Sequence, residues 1–201
     1  MAKTVLKEGI GSVELLSSRF EAVCFPFSGE DSFEELYKAF KKRFPKADHY
    51  PYAYVYDGER KSSDDGEPSG AAGRNYLELF AKGGIVRGCL ICARYFGGSK
   101  LGLPRLRRTF LAAAEKALEN CVAGEILLQD AFRLSLSYHD YEILKRLIPS
   151  LGGALSEESF GENVSLKLLG DATILAKLQE KGLTFSYESL GQEETIKEIA
   201  L

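Results

Sequence analysis

The chain has 201 residues, with 26 Lys and Arg against 29 Asp and Glu for a net charge of −3; 45% of its residues are hydrophobic and 27% charged. These are ordinary values for a globular protein of one large domain or two small ones. No apolar run approaches the ~18 residues of a membrane span, and the stretch from Met1 to Glu8 lacks the apolar core of a signal peptide, so a cytoplasmic protein with no membrane partner is expected.

The charge is unevenly placed. Residues 1–124 hold 19 Lys and Arg against 16 Asp and Glu, a balance of +3, and residues 125–201 hold 7 against 13, a balance of −6. Such a split fits two domains, 1–124 and 125–201, with different partners. Phosphate neutralisation needs clustered cations, so it argues against nucleic-acid binding by the second.

Taken in chain order, Arg19 to Phe27 is apolar and aromatic enough for a strand. Asp31 and Ser32 offer helix N-caps, Phe33, Leu36, Tyr37, Phe40 and Phe44 recur at helical spacing, and Pro45 ends the helix. Tyr52 to Tyr56 alternates like a strand, and Asp57-Gly58 turns the chain. Tyr50, Tyr52, Tyr54 and Tyr56 share one strand face. They can stack on bases, although such a stripe is more often half-buried core. Asn75 to Lys82 reads as a short helix stopped by Gly83-Gly84, and Ile85 to Phe96 as a central buried strand. Pro104 suits the first turn of a helix to about Asn120, with Leu106, Phe110, Ala113 and Ala117 inward. The order indicates an α+β or α/β domain.

After Gly124 the pattern resets. Ala131 to Tyr138 alternates as a strand, and Tyr141, Leu144, Leu147 and Ile148 form a helical stripe broken by Gly152-Gly153. Two short strands follow near 154–160 and 163–169. Asp171 or Thr173 caps a helix through Lys181, and Leu183 to Ser189 is a last strand. The tail from Gln192 to Leu201 reads as a short helix. The order β-α-β-β-α-β is that of a ferredoxin-like fold.

Two loops carry the chemistry. Ser62 to Gly73, SSDDGEPSGAAG, places Asp64, Asp65 and Glu67 among glycines and a proline with no hydrophobic period. Long irregular loops of this kind are usually functional or disordered, and the glycines and proline favour a built turn. Its carboxylates can hold Mg²⁺ or Ca²⁺, but the spacing is not that of an EF-hand. The plainer reading is a turn in which Asp side chains bond nearby backbone N–H groups. The second loop, Arg94-Tyr95-Phe96-Gly97-Gly98-Ser99-Lys100-Leu101-Gly102, has glycines that expose backbone N–H groups ahead of a helix start. Arg105, Arg107 and Arg108 add charge beyond it. It is no Walker A sequence, and it reads equally as an anion nest or as a tight turn with a solvated basic helix end. One acidic and one basic loop, each leading into a helix, look like two walls of one site. His49 can act as an acid or base, or simply pack at a strand end. No serine stands in a nucleophile elbow. Cys89 and Cys92 are three apart on a strand and so face opposite sides, which points to buried thiols rather than a zinc site.

The SDDGEPSG-x-AG and RYFGG-x-KLG strings, read with His49-Tyr50-Pro51-Tyr52-Ala53-Tyr54, resemble the YigZ/IMPACT family. The positions that match are His49, Ala53, Asp64 to Pro68, Gly70, Gly73, Arg94 to Gly98, Lys100 to Gly102, Leu106 and Arg108. The resemblance implies an N-terminal domain similar to the second domain of a small-subunit ribosomal protein. It also implies a ferredoxin-like C-terminal domain similar to one in the translocation elongation factor. The family's eukaryotic members are linked to control of translation under amino-acid starvation, through binding a regulator of a stress kinase. Its bacterial members have no settled activity. The family usually continues K-L-G-T-G-G-L-V-R; here Pro104 and Arg105 stand where two of those glycines would be, and Pro51 replaces the usual Cys or Val two residues after the histidine.

The expected function is therefore a translation-linked binding or regulatory protein. It would engage RNA, the ribosome or a translation-factor partner through His49, Asp64, Asp65, Glu67, Arg94, Gly97, Gly98, Lys100, Gly102, Arg105 and Arg108. Lys100, Arg94 and the helix start at Arg105 to Arg108 would meet phosphates, with no cofactor and no assigned metal. Two alternatives stand beside it. One is a metal-assisted hydrolase using Asp64, Asp65 and Glu67 with His49 as base. The other is a protein-interaction module docking through the acidic second domain. The residues do not decide whether the protein is an enzyme.

Overall fold

The computed structural model describes residues 1–199. The chain forms two compact units: residues 1–126 with the chain end from Ile196, and residues 127–195.

In the first unit, β6 (Ile85–Tyr95) is the strand around which the others assemble. Antiparallel β3 (Ser18–Phe25) and β4 (Tyr52–Tyr56) flank it, and β1 (Lys3–Lys7) joins it in parallel near its start. The strand β2 (Gly9–Leu15) makes a hairpin with β3, and β5 (Glu59–Ser63) extends β4. The period-2 alternation of β6 sorts its side chains onto two cores. Cys89, Ile91 and Ala93 meet Phe33 and Phe40 of α1 (Phe33–Arg43). Leu90 and Cys92 share the other core with Tyr76 and Phe80 of α2 (Gly73–Gly83) and with Phe110 and Ala113 of α3 (Leu103–Glu119). Cys89 and Cys92 thus diverge, and all four cysteines are free and buried. Burial holds the Cys89 and Cys92 thiols well above their ordinary range. The tyrosine stripe is core: Tyr54 is buried, and Tyr50, Tyr52 and Tyr56 pack partly buried on the α1 side.

The expected caps of α1 take another form. Ser32 is the N-cap, but its Oγ donates to the Gly29 carbonyl within a 3-10 turn and makes no cap bond to the helix. Strands β1, β2 and β5 carry little periodic signal. In β2 the residues at positions 9 and 11 are glycines because α3 runs against them: a Cβ on either would sit 2.2 Å from a helix carbonyl oxygen, that of Ala117 or Ala113.

The second unit contains most of β7 (Val122–Leu136), then α4 (Tyr138–Leu151), β8 (Ala154–Phe160), β9 (Val164–Gly170), α5 (Ile174–Glu180) and most of β10 (Phe185–Ile199). The β-α-β-β-α-β order is the expected one, with strands arranged β10-β7-β9-β8. Leu134, Leu136, Leu166 and Leu168 meet Tyr141, Leu144 and Ile148 of α4 and Ile174 and Leu178 of α5. Two expectations are corrected. The strand expected from Ala131 begins at Val122 and passes Gly124 without a break, because its first residues pair with β1. The tail expected to be helical is strand through Ile199; residues 200 and 201 lie outside the described residues. Its Glu, Gln and Lys content favours a helix locally, but pairing with β7 overrides this. Thr195 Oγ1 donates to Gln129 Oε1 at 3.1 Å, and Gln192 Nε2 donates to Asp130 Oδ1 at 3.1 Å.

Candidate functional site

The two loops meet in the first unit. They enclose a cavity of about 480 Å³, lined by Asp48 and His49 ahead of β4, Glu67 and Pro68 of the acidic loop, and Arg94 and Phe96 at the end of β6. Lys100, Leu101 and Gly102 of the basic loop and Leu103 and Leu106 of α3 complete it.

The acidic loop is built by its own side chains. Asp64 accepts three backbone N–H bonds, from Gly70 at 2.8 Å, Ala72 at 2.8 Å and Gly73 at 2.9 Å, and so caps the start of α2. Asp65 Oδ2 accepts from Tyr50 N–H at 2.7 Å, and its own N–H donates to Ser63 Oγ. Both carboxylates are therefore engaged with backbone, and neither lines the cavity. Gly73 is required where it stands: a Cβ there would sit 2.9 Å from the Ser63 backbone.

Glu67 does face inward. Arg94 Nη1 donates to both of its oxygens at 2.6 Å, and only 9% of the arginine side chain and 1% of the glutamate side chain reach solvent. Arg94 is thus a buried, paired cation and not a surface phosphate contact. Its Nε is buried with no acceptor among the described residues. The guanidinium lies 5.5 Å from the centroid of the Phe96 ring. His49 forms an isolated antiparallel bridge to Arg94, just ahead of β4. Its Nδ1 lies 2.7 Å from the Asp65 carbonyl. A carbonyl only accepts, so Nδ1 carries the hydrogen and Nε2 keeps its lone pair in the neutral ring.

The basic loop is anchored at its first glycine. Gly97 N–H donates to Ser18 Oγ at 3.0 Å, and a Cβ at Gly97 would lie 2.1 Å from the carbonyl carbon of Ser17. Leu16 and Ser17, the two turn residues of the β2–β3 hairpin, both have positive φ (46° and 63°), so the loop rests on a hairpin turn of fixed shape. Gly98 and Gly102 have φ of 87° and 71°, and Gly102 is the N-cap of α3. Lys100, Arg105 and Arg108 are exposed, and among the described residues none of them makes an ion pair. Arg105 and Arg108 stand on α3 outside the cavity lining. Arg107 is 3.8 Å from Glu78.

Sequence reasoning passed over Asp48 and Phe96 as site residues. Asp48 Oδ2 accepts from Phe96 N–H at 2.7 Å and so fixes the ring's backbone. The alternation that sets Leu90 and Cys92 on one face of β6 also sets Arg94 there, and Phe96 two residues on. That signal was present in the sequence. Among the described residues no group of three or more His, Cys, Asp or Glu stands arranged to hold a metal.

Fold and site together define a two-unit α+β protein with a pocket between an acid-stapled loop and a glycine-rich basic loop. The chain belongs to the IMPACT family: residues 16–118 match the Impact N-terminal domain. It is 30% identical over 167 residues to IMPACT family member YvyE of Bacillus subtilis (strain 168), across 82% of this chain and 77% of that one. To IMPACT family member YigZ of Escherichia coli (strain K12) it is 25% identical over 182 residues, across 88% and 89%. A solved structure described as the crystal structure of an hypothetical protein shares the fold, with a TM-score of 0.60 at 20% identity over 96% of this chain and 100% of that one. No helix among the described residues is long and apolar enough to cross a membrane.

Proposed function

We propose that the protein is a translation-linked binding protein that engages RNA, free or on the ribosome, through the basic loop and the start of α3. The link to translation rests on the family resemblance. The observation that carries the RNA reading is the set of three exposed cations, Lys100, Arg105 and Arg108, at one loop-to-helix junction with no carboxylate paired to them among the described residues. Unpaired cations beside a helix N-terminus attract phosphate oxygens and release counterions when they bind. Arg105, which stands where the family usually has glycine, adds to that charge.

The hydrolase reading needs the acidic loop to present carboxylate oxygens. Asp64 gives both of its oxygens to backbone N–H groups and Glu67 gives both to Arg94, so both carboxylates are already engaged within the protein.

Sedimentation with ribosomes and with bulk RNA at low and high salt tests the proposal. Binding is expected to fall steeply with salt, and Lys100→Ala/Arg108→Ala is expected to weaken it and to lower the salt slope by about 1 per lost contact. Full binding by that double variant overturns the assignment of residues.

A further inference from the structure

The cavity itself is not explained by phosphate contacts. We infer that it receives one unpaired base of the bound RNA, stacked on Phe96, while the adjoining phosphate lies at Lys100; the inference rests on the RNA reading above.

Three observations converge. First, Phe96 is 47% exposed and Leu103 45% exposed, and both line the cavity. A single exposed apolar side chain needs no explanation, but two at one mouth above Leu101 and Leu106 make an apolar slot. The Phe96 backbone is tied down by the bond to Asp48, and the Arg94 guanidinium lies over the ring, 5.5 Å from its centroid. A half-open aromatic ring flanked by an arginine is what unstacked bases lie on.

Second, Arg94 lines the cavity, is only 7% exposed, and among the described residues its Nε is buried with no acceptor. Buried donors without partners are rare and call for an account. A base edge brings carbonyl and ring-nitrogen acceptors to such a guanidinium. Asp48 and His49 also line the cavity and carry acceptors, a carboxylate oxygen and the Nε2 lone pair, of the kind base amino groups take. A plain phosphate or carboxylate ligand would use the donors but neither the apolar slot nor these acceptors.

Third, the space fits. About 480 Å³ lies within the range of ~300–1,000 Å³ typical of small-molecule pockets. Lys100 stands exposed on the same rim, next to the slot a base would fill.

The test is fluorescence anisotropy with a labelled short single-stranded RNA and with its perfect duplex, using the full chain. Phe96→Ala is expected to weaken single-strand binding between about fivefold and a hundredfold, the range for a lost base–aromatic stack, and to leave duplex binding unchanged. Phe96→Trp keeps the ring and is expected to bind like the original. Phe96→Leu preserves the apolar contact with the fold but is expected to behave like Phe96→Ala. Lys100→Ala is expected to weaken both RNAs and flatten their salt dependence. If Lys100→Ala weakens both RNAs while Phe96→Ala and Phe96→Leu leave single-strand affinity within about twofold, the base pocket is wrong and the RNA reading stands. If neither RNA binds the unaltered protein at low salt, both are wrong.

Discussion

The Glu67–Arg94 pair gives the sharpest test of how the site is held. Glu67→Gln keeps the side chain's shape and removes its charge. At an N–O distance of 2.6 Å, the Coulomb attraction at an effective dielectric of 20 is about 6 kcal/mol. The substituted amide still accepts one hydrogen bond, which returns about 1–1.5 kcal/mol. Water entering from the cavity side offsets a further part. Removing one partner of a buried pair generally costs about 3–5 kcal/mol, and the open cavity places this case near 3. In urea denaturation followed by far-UV circular dichroism, with a slope of about 2 kcal/mol per molar, the midpoint of the first unit falls by about 1.5 M. Glu67→Leu/Arg94→Met removes both charges and recovers most of that loss, since apolar replacement of a buried pair is often neutral. A Glu67→Gln midpoint within about 0.3 M of the original refutes the reasoning, and would mean that solvent already screens the pair.

Asp64→Ala deletes three charge-assisted bonds to Gly70, Ala72 and Gly73 and is expected to cost about 2–4 kcal/mol; hydrogen exchange at those three amides should speed up with it. Gly97→Ala forces a methyl into the Ser17 backbone and is expected to cost about 2 kcal/mol or more. Gly98→Ala meets nothing within 4 Å and bears only the strain of φ 87°, so its melting point should fall less. Asp171 accepts from Lys177 Nζ and from Thr173, which holds its carboxyl down at about 2 against an ordinary 3.8. A depressed carboxyl contributes stability that is present above pH 3.8 and lost as pH falls through about 2. Carboxyl chemical shifts of the folded protein should titrate in that lower window, and Asp171→Asn should abolish the contribution.

The elements with strong period were legible in the chain. The α1 stripe from Phe33 to Phe44, the β6 run from Ile85 and the inward row of α3 each repeat apolar residues at the spacing that their backbone dictates. The same alternation separated Cys89 from Cys92. The Asp-Gly-Glu-Pro and Gly-Gly-Ser-Lys strings marked the two loops, because glycine, proline and Asp are the residues that tight turns require. Side-chain partners were decided only by the fold. Whether a carboxylate staples a loop or faces a ligand depends on which N–H groups come within reach. Asp64 and Asp65 turned to backbone, while Glu67, two residues on, met Arg94 from a different strand. The glycines of β2 had no local meaning until α3 lay against them. The tail from Gln192 carries residues that favour a helix when alone and became strand because β7 offered a pairing partner. Local propensity amounts to a few tenths of a kcal/mol per residue, and partners from distant parts of the chain outweigh it.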